Sequence, residues 1–360
     1  MILKEHVSLA PLTTLGVGGE ARFFAEAYSV DDVVGALAFA RAHALPVFVL
    51  GGGSNIVISD AGFSGLVLAV RIPGIRVEHR DETVAVTVGA GVSWDEFVAW
   101  TVEKKFIGLE CLSGVPGTVG GAVVANLGCY GAQCSDTLVS AHVLDRSDEQ
   151  HPVRICKNEA CDFSYHDSVF SHTDGRYVIL DATFVLPRFG TSRFSYRDNR
   201  FDLEALATAN GREPTLADIR AAILLMRGEK GVLATSYRSA GSFFHMPFVS
   251  ADRYALIREK ARALDAEKEE RLRPWAWKQQ DGSYKIAAGF LLEYTEFQKG
   301  YARGAIGISP KHTLSIINIA DGRAQDIAAL ARDMQDAVEK LFGIVLEREV
   351  EYVGDVENKK

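Results

Sequence analysis

Residues 108–131, GLECLSGVPGTVGGAVVANLGCYG, carry seven glycines among apolar residues at core-like density. Glycine costs backbone entropy when it is ordered and brings no side chain to pack. A buried segment this rich in it implies main chain lying directly against a large, flat, phosphate-bearing ligand. A second stretch, GGGSN (Gly51, Gly52, Gly53, Ser54 and Asn55), directly follows PVFVL (46–50), a short apolar run that predicts a buried strand. Successive N–H groups in such a turn can point into one concavity and hold an anion, with Ser54 and Asn55 adding side-chain donors. A plain tight turn between two strands is the alternative. In SGVPGTVGGA (113–122), Pro116 fixes φ while Gly114, Gly117, Gly120 and Gly121 remove Cβ atoms, so another surface can approach closely. A packed loop between domains is the competing reading there. Ser113 and Thr118 complete the set of candidate binding residues.

The better-known nucleotide signatures are missing. No GxxxxGK[ST] occurs, which excludes a P-loop. GVGGEA (16–21) satisfies G-x-G-x-x-A, but it follows APLTT instead of a strand, so a Rossmann site there is not expected. A dinucleotide, if bound, is bound by a different fold.

A chain of 360 residues predicts two or three domains, and a net charge of −8 with no basic block argues against nucleic acid. The N-terminus is interrupted by charges and Pro11, unlike a signal peptide, and no apolar run reaches the roughly 18–20 residues of a membrane span. The five cysteines form no CxxC pair, and Cys156 and Cys161 lack a His pair, so neither disulfides nor a metal site are expected. A soluble, cytoplasmic, monomeric protein is the expectation.

Three regions follow along the chain. Before residue 70, Ser29 and Asp32 open a predicted helix, and IVIS and GLVLAV read as strands flanking a turn. From 71 to about 190, TVAVTVGAG, AHVLD and YVILDATFVL read as strands, and Ser93 with Glu96 forms an S-x-x-E helix start. After the polar linker RDNRFDLEALATANGREPT, Thr215 and Asp218 open a helix with Ile219, Ala222, Ile223 and Met226 on one face. A charge-dense helix is predicted over 251–271, a strand in KHTLSIINIA, a helix over 323–342, and a final alternating strand in GIVLEREVEYVG.

Taken together, TTLGVGGEARFF, VLGGGSNIVISDAGFSGLVL, the 108–131 segment, FSYHDSVF, AGSFF and LEREVEYVG resemble the UDP-N-acetylenolpyruvoylglucosamine reductase family in order and approximate spacing, from about residue 8 to 354. The longer subtype, with a tyrosine-containing insertion, is the nearer likeness. The resemblance implies an α+β FAD-binding fold of the vanillyl-alcohol-oxidase (PCMH) type. Two subdomains, 1–70 and 71–205, would clasp FAD non-covalently, the C-terminal strand 344–354 joining the second. An α+β substrate-binding domain over 213–343 would close over a UDP-sugar. It also implies reduction of an enolpyruvyl ether to a lactyl ether with NADPH, in peptidoglycan precursor synthesis.

The resemblance makes Ser242 in AGSFF the proton donor and Glu349 in LEREVEYVG the catalytic glutamate, with Glu347 the fallback. A carboxylate near developing negative charge must be protonated or screened, so a raised pKa is expected. At the third position the family carries an arginine, and this chain reads Tyr165-His166-Asp167-Ser168. Histidine lacks the bidentate fork but donates one hydrogen bond when neutral and carries charge when protonated. His166 is the leading candidate for the arginine's task. Substitution by Arg176, or a weakened activity, stays open. Arg227 and Lys230 match positions near the substrate, and Tyr196 resembles the tyrosine that closes over it. In FFHMP (243–247) the family usually has Lys-Asn-Pro, so Met246 lacks an amide. An FAD-dependent oxidase acting on a sugar alcohol is the rival enzyme, and a flavin- or UDP-sugar-binding homologue with impaired catalysis the rival non-enzyme.

Overall fold

The computed structural model describes residues 1–148, 152–173, 175–196 and 201–357. Residues 197–200 of the predicted linker lie outside them.

The first region builds a four-stranded sheet in the order Ile2–Ser8, Glu20–Ala27, Phe63–Val70, Val47–Leu50. The first pair is antiparallel and the others parallel. Parallel pairing needs a crossover. The helix Val30–Ala42 supplies it, started by Ser29 Oγ accepting the Asp32 N–H at 3.1 Å. The second region builds a five-stranded antiparallel sheet in the order Val153–Lys157, Leu138–Asp145, Tyr177–Pro187, Thr83–Gly89, Ile75–His79. The helix Trp94–Glu103, capped as predicted by Ser93, buries Trp94 and Phe97 against Phe184, with ring centroids 5.3–6.1 Å apart. Val33, Leu37, Leu66 and Leu68 of the first region pack in that same core with Val84, Phe97 and Phe184 of the second. Truncating Phe97 to alanine would cost about 3–5 kcal/mol.

A separate core holds the C-terminal region, where the helix Ala324–Phe342 ends at Gly343 in the left-handed conformation and packs on Phe243, Phe244, Phe290 and Ile316. The charge-dense segment predicted as one helix is two, Ala251–Leu264 and Ala266–Leu272. Asp265 breaks it. Its extended backbone leaves the first helix, and its carboxylate accepts the Lys268 N–H at 2.8 Å to start the second.

Two placements depart from the expected division. The helix Leu216–Lys230, assigned to the C-terminal domain, turns its apolar face (Ile219, Ala222, Ile223, Met226) onto Cys111, Tyr130 and Leu203 instead. It therefore packs on the glycine-rich segment. The terminal strand is only Glu351–Val353, and it pairs in parallel with Ile56–Ile58, not with the 71–205 sheet. Ile56–Ile58 has no other ladder partner among the described residues, and Val353 fills an apolar cluster with Leu9, Leu50, Ile58 and Val67. No described helix is long and apolar enough to cross a membrane.

Candidate active site

The two glycine loops meet. Ser54 Oγ donates to the Pro116 carbonyl at 3.2 Å, and a Cβ on Gly52 would stand 2.5 Å from Gly117 Cα. Gly53 adopts φ +64, and a Cβ there would collide with the Leu12 carbonyl. Glycine is thus demanded by contact between backbones. None of the N–H groups from Gly51 to Asn55 has an acceptor among the described residues, and neither has that of Gly117. Buried or half-buried N–H groups are normally paired. A row left open in a concave turn fits an anion such as a dinucleotide diphosphate, which is the arrangement that could hold FAD.

Several residues expected at the ligand are engaged elsewhere. Ser113 is fully buried and donates to the Glu110 carbonyl at 2.6 Å. Gly114 gives its N–H to Asp95 Oδ1 at 2.5 Å, and its carbonyl accepts Arg227 Nε at 3.1 Å. Thr118 caps the short helix Val119–Val124 by accepting the Gly121 N–H, while Gly120 lies against Ala90 in that helix's packing with the sheet. Asn55 Nδ2 donates to the Glu349 carbonyl at 3.0 Å instead of extending the cradle.

That last bond leads to a cluster of titratable groups around Glu349. Glu349 hangs between two segments, its carbonyl on Asn55 and its N–H on the Phe243 carbonyl at 3.0 Å, with His245 N–H donating to the Glu347 carbonyl at 2.9 Å. Glu347, the fallback, is exposed. Ser242 is half-buried immediately before Phe243 and Phe244, both in the C-terminal core, which fix its turn. Thr14 ties that turn to the cradle: its N–H donates to the Gly53 carbonyl at 3.0 Å and its Oγ1 to the Ser239 carbonyl at 2.6 Å.

The remaining groups arrive from two further elements. Reciprocal main-chain bonds between Ser164 and Asp167 close a turn with Tyr165 and His166 at its tip, His166 at φ +53. Asn126 Nδ2 holds the Ser164 carbonyl at 2.7 Å, and buried Ser168 donates to the Val124 carbonyl at 2.6 Å. His166 Nδ1 then stands 3.8 Å from Glu349 Oε1, and His245 Nδ1, buried without a hydrogen-bond partner, 3.9 Å from Oε2. Lys285, on the strand Tyr284–Ile286, places Nζ 3.5 Å from the Tyr165 ring centroid. Burial pushes the Glu349 carboxyl up to about 7 against the pull of Lys285. Burial, then His245 and Lys285, bring His166 down to about 4. The raised carboxyl matches the sequence expectation, and the uncharged imidazole does not match a cationic role. Arg176 is no substitute, since its guanidinium is locked in a two-point pair with Asp145 at 2.9 and 2.7 Å.

A third group lies beside the glycine-rich segment. Lys230 is 6 % exposed, donates to Tyr196 Oη at 3.0 Å, and sits over the rings of Tyr196, Tyr130 and Phe201 at 4.6–5.5 Å. Arg227 spans Gly114 and the Val232 carbonyl. Sequence reasoning missed Thr14, Asp95, His245 and Lys285 as site-forming residues. Thr14 and His245 lay inside quoted motifs, but nothing local marks Asp95 or Lys285.

This architecture, with a main-chain anion cradle on a parallel-stranded layer and a titratable cluster contributed by a C-terminal unit, defines an FAD-binding α+β protein. Residues 21–152 match the family model of the FAD binding domain, and residues 233–353 that of the UDP-N-acetylenolpyruvoylglucosamine reductase C-terminal domain. UDP-N-acetylenolpyruvoylglucosamine reductase of Thermobifida fusca (strain YX) is 38% identical over 357 residues, 97% of this chain and 98% of that protein. The same-named protein of Pseudomonas aeruginosa is 36% identical over 348 residues, 96% of this chain and 98% of its own. In fold, the chain is similar to the crystal structure of UDP-N-acetylenolpyruvylglucosamine reductase from Thermus caldophilus, with a TM-score of 0.66 at 22% identity over 98% of this chain and 100% of that one. The chain belongs to the UDP-N-acetylenolpyruvoylglucosamine reductase family.

Proposed function

We propose that this protein reduces UDP-N-acetyl-3-O-(1-carboxyvinyl)-glucosamine to UDP-N-acetylmuramate, with NADPH as hydride donor and FAD held non-covalently. The observation that carries the reading is Glu349, suspended by main-chain bonds between Asn55 of the cradle and Phe243 beside Ser242, with its carboxyl raised to about 7. FAD, when bound, supplies the two-electron relay between NADPH and the enolpyruvyl group. The N–H groups from Gly51 to Asn55 and of Gly117 would hold its diphosphate, and the tight contact of Gly52 with Gly117 excludes side chains from that surface.

Hydride addition at the methylene carbon moves the π pair of the double bond toward the carboxylate. Ser242 gives its hydroxyl proton to the adjacent carbon, and the protonated Glu349 carboxyl donates a hydrogen bond to the charge that builds beside it. A carboxylate there would repel that charge. His166, neutral, stands beside the carboxyl with its Nδ1 3.8 Å from Glu349 Oε1 and limits the space in which that carboxyl can turn. Lys230 and Tyr196 grip the diphosphate of the sugar nucleotide, the lysine leaving its aromatic cage to do so, and Arg227 acts as a strut between Gly114 and the 231–238 loop. The protein acts in the cytoplasm, as a monomer, in peptidoglycan precursor synthesis.

Anaerobic mixing tests this. Flavin in the purified protein should bleach with NADPH and regain its colour on adding the enolpyruvyl substrate, with one lactyl ether formed per NADPH. A protein that bleaches but recovers only with O₂ would be an oxidase instead.

A further inference from the structure

We propose that Lys285 contacts the substrate, its ammonium pairing with the enolpyruvyl carboxylate and holding the negative charge that builds there during reduction. The inference rests on the proposed reaction and assigns to Lys285 the cationic task that the sequence placed at residue 166.

The geometry is specific. Lys285 lies in the middle strand of a three-stranded sheet, opposite Phe248 on one side and Trp277 on the other. Its side chain crosses to the Tyr165–His166 turn, with Nζ 3.5 Å from the Tyr165 centroid and 5.5 Å from that of Phe248. An ammonium has three donors to satisfy. Among the described residues no carboxylate oxygen lies within 4.0 Å of this one, and no hydrogen-bond acceptor holds it. A half-buried cation resting on an aromatic face, with its donors open, is arranged to receive an anion. Beside it, His245 Nδ1 is buried without a hydrogen-bond partner, 3.9 Å from Glu349 Oε2.

The surrounding charges favour the lysine. Burial lowers Lys285 somewhat, offset by Glu349, and lowers both His166 and His245, the latter against Glu347 and Asp167. Tyr165 is pushed up by burial and by Glu349 and stays un-ionised. With Glu349 largely protonated below pH 7, the cation of this cluster is Lys285. In the reaction, the two electrons of the hydride come ultimately from NADPH and form the new C–H bond at the methylene. The displaced π pair is delocalised into the carboxylate facing Lys285, until the Ser242 proton forms the second C–H bond and solvent restores the hydroxyl.

The test uses the FAD-loaded, full-length enzyme with Lys285→Met and Lys285→Arg. For Lys285→Met we expect reduction by NADPH within a few-fold of wild type and a loss of about 10²–10³ in the half-reaction with the enolpyruvyl substrate. Lys285→Arg should recover most of it. Independently of turnover, calorimetric titration of the oxidised enzyme should show weaker binding of UDP-N-acetylmuramate to Lys285→Met, with unchanged binding of UDP-N-acetylglucosamine, which has no carboxylate. Equal weakening for both ligands, or a substrate half-reaction within about threefold of wild type, overturns the proposal. Flavin content and unfolding temperature report on folding. If Lys285→Met loses its flavin, Lys285→Gln replaces it, and loss in both assigns the lysine to structure and overturns the proposal. A wild-type enzyme that ignores the enolpyruvyl substrate sinks the proposed reaction itself, a result separate from any of these.

Discussion

His166 Nδ1 lies 3.8 Å from Glu349 Oε1, and of the two groups it is the carboxyl that holds its proton near neutrality. Burial raises the acid to about 7 and lowers the base to about 4, so between those values the contact joins two neutral groups, not an ion pair. A buried histidine and a buried carboxyl each avoid ionising alone, and their attraction at this distance is too weak to reverse that.

The raised carboxyl makes a prediction about stability. Glu349 has a higher pKa in the folded chain than the ordinary 4.5 of its unfolded form, so between about 4.5 and 7 the native state binds a proton that the unfolded state releases. Stability therefore falls as pH rises through that window. Glu349→Gln should remove this slope and, at pH 8, gain up to about 3 kcal/mol relative to wild type in denaturant unfolding. The same variant should lose turnover with the enolpyruvyl substrate, and wild-type turnover should decline above about pH 7. An unchanged slope in the variant would show that another group carries it.

Ser242→Ala should separate the two halves of the reaction. Reduction by NADPH should stay near the wild-type rate, while reoxidation by the enolpyruvyl substrate slows by about 10²–10⁴ under anaerobic conditions. Equal slowing of both would remove Ser242 from the role of acid.

Gly52→Ala tests the cradle. The added Cβ would lie 2.5 Å from Gly117 Cα, main chain against main chain, so one loop must move. The purified variant should carry little flavin by absorbance and need excess FAD to recover it. Gly35→Ala is the control, because an added Cβ meets nothing within 4 Å on that helix. It should keep its flavin and be as stable as wild type or slightly more so.

Asp95 joins the flavin side of the molecule to the helix Leu216–Lys230. It receives Arg220 at 2.6 and 2.9 Å and the Gly114 N–H at 2.5 Å. Burial acts to raise its carboxyl, but Arg220 and the Gly114 N–H outweigh this and hold it below the usual range. Its contribution is thus present at neutral pH and lost only as pH falls through that lowered value. Asp95→Asn should cost about 1–3 kcal/mol in thermal or denaturant unfolding at pH 7 and shrink on acidification. It should also weaken sugar-nucleotide binding, because Lys230 lies on the helix that loosens.

His166→Arg is expected to keep or raise activity near neutral pH, since the turn tip faces the same carboxyl and a guanidinium would share the charge-holding task with Lys285. The measurement is kcat/KM across pH 5.5–8.5. Complete loss would give the imidazole a role of its own.

The local rules read well wherever a short stretch of chain closes its own hydrogen bonds. The predicted starts at Ser29, Ser93 and Thr215 cap helices, and PVFVL ends in the cradle, because capping and β-branched runs depend on neighbours a few residues away. Glycine density pointed to main chain lying against a flat ligand, and what the structure shows is main chain against main chain, Gly52 meeting Gly117. Other outcomes depended on partners distant in sequence. Asn55 and Glu349 are joined across nearly the whole chain, and Thr14 reaches both Gly53 and Ser239. The terminal strand chose Ile56–Ile58 because an open ladder edge and an apolar cluster awaited Val353 there. How far His166 and Glu349 shift from their ordinary protonation was decided by the tertiary structure. Charge at a given pH depends on how much water each group loses and on what faces it, and neither is written in the residues beside it. The sequence by itself determined the helix starts and the crowding of the two glycine loops, and its resemblance to a family named the candidate reacting groups. Only folding brought Lys285 beside Tyr165 and left His166 neutral.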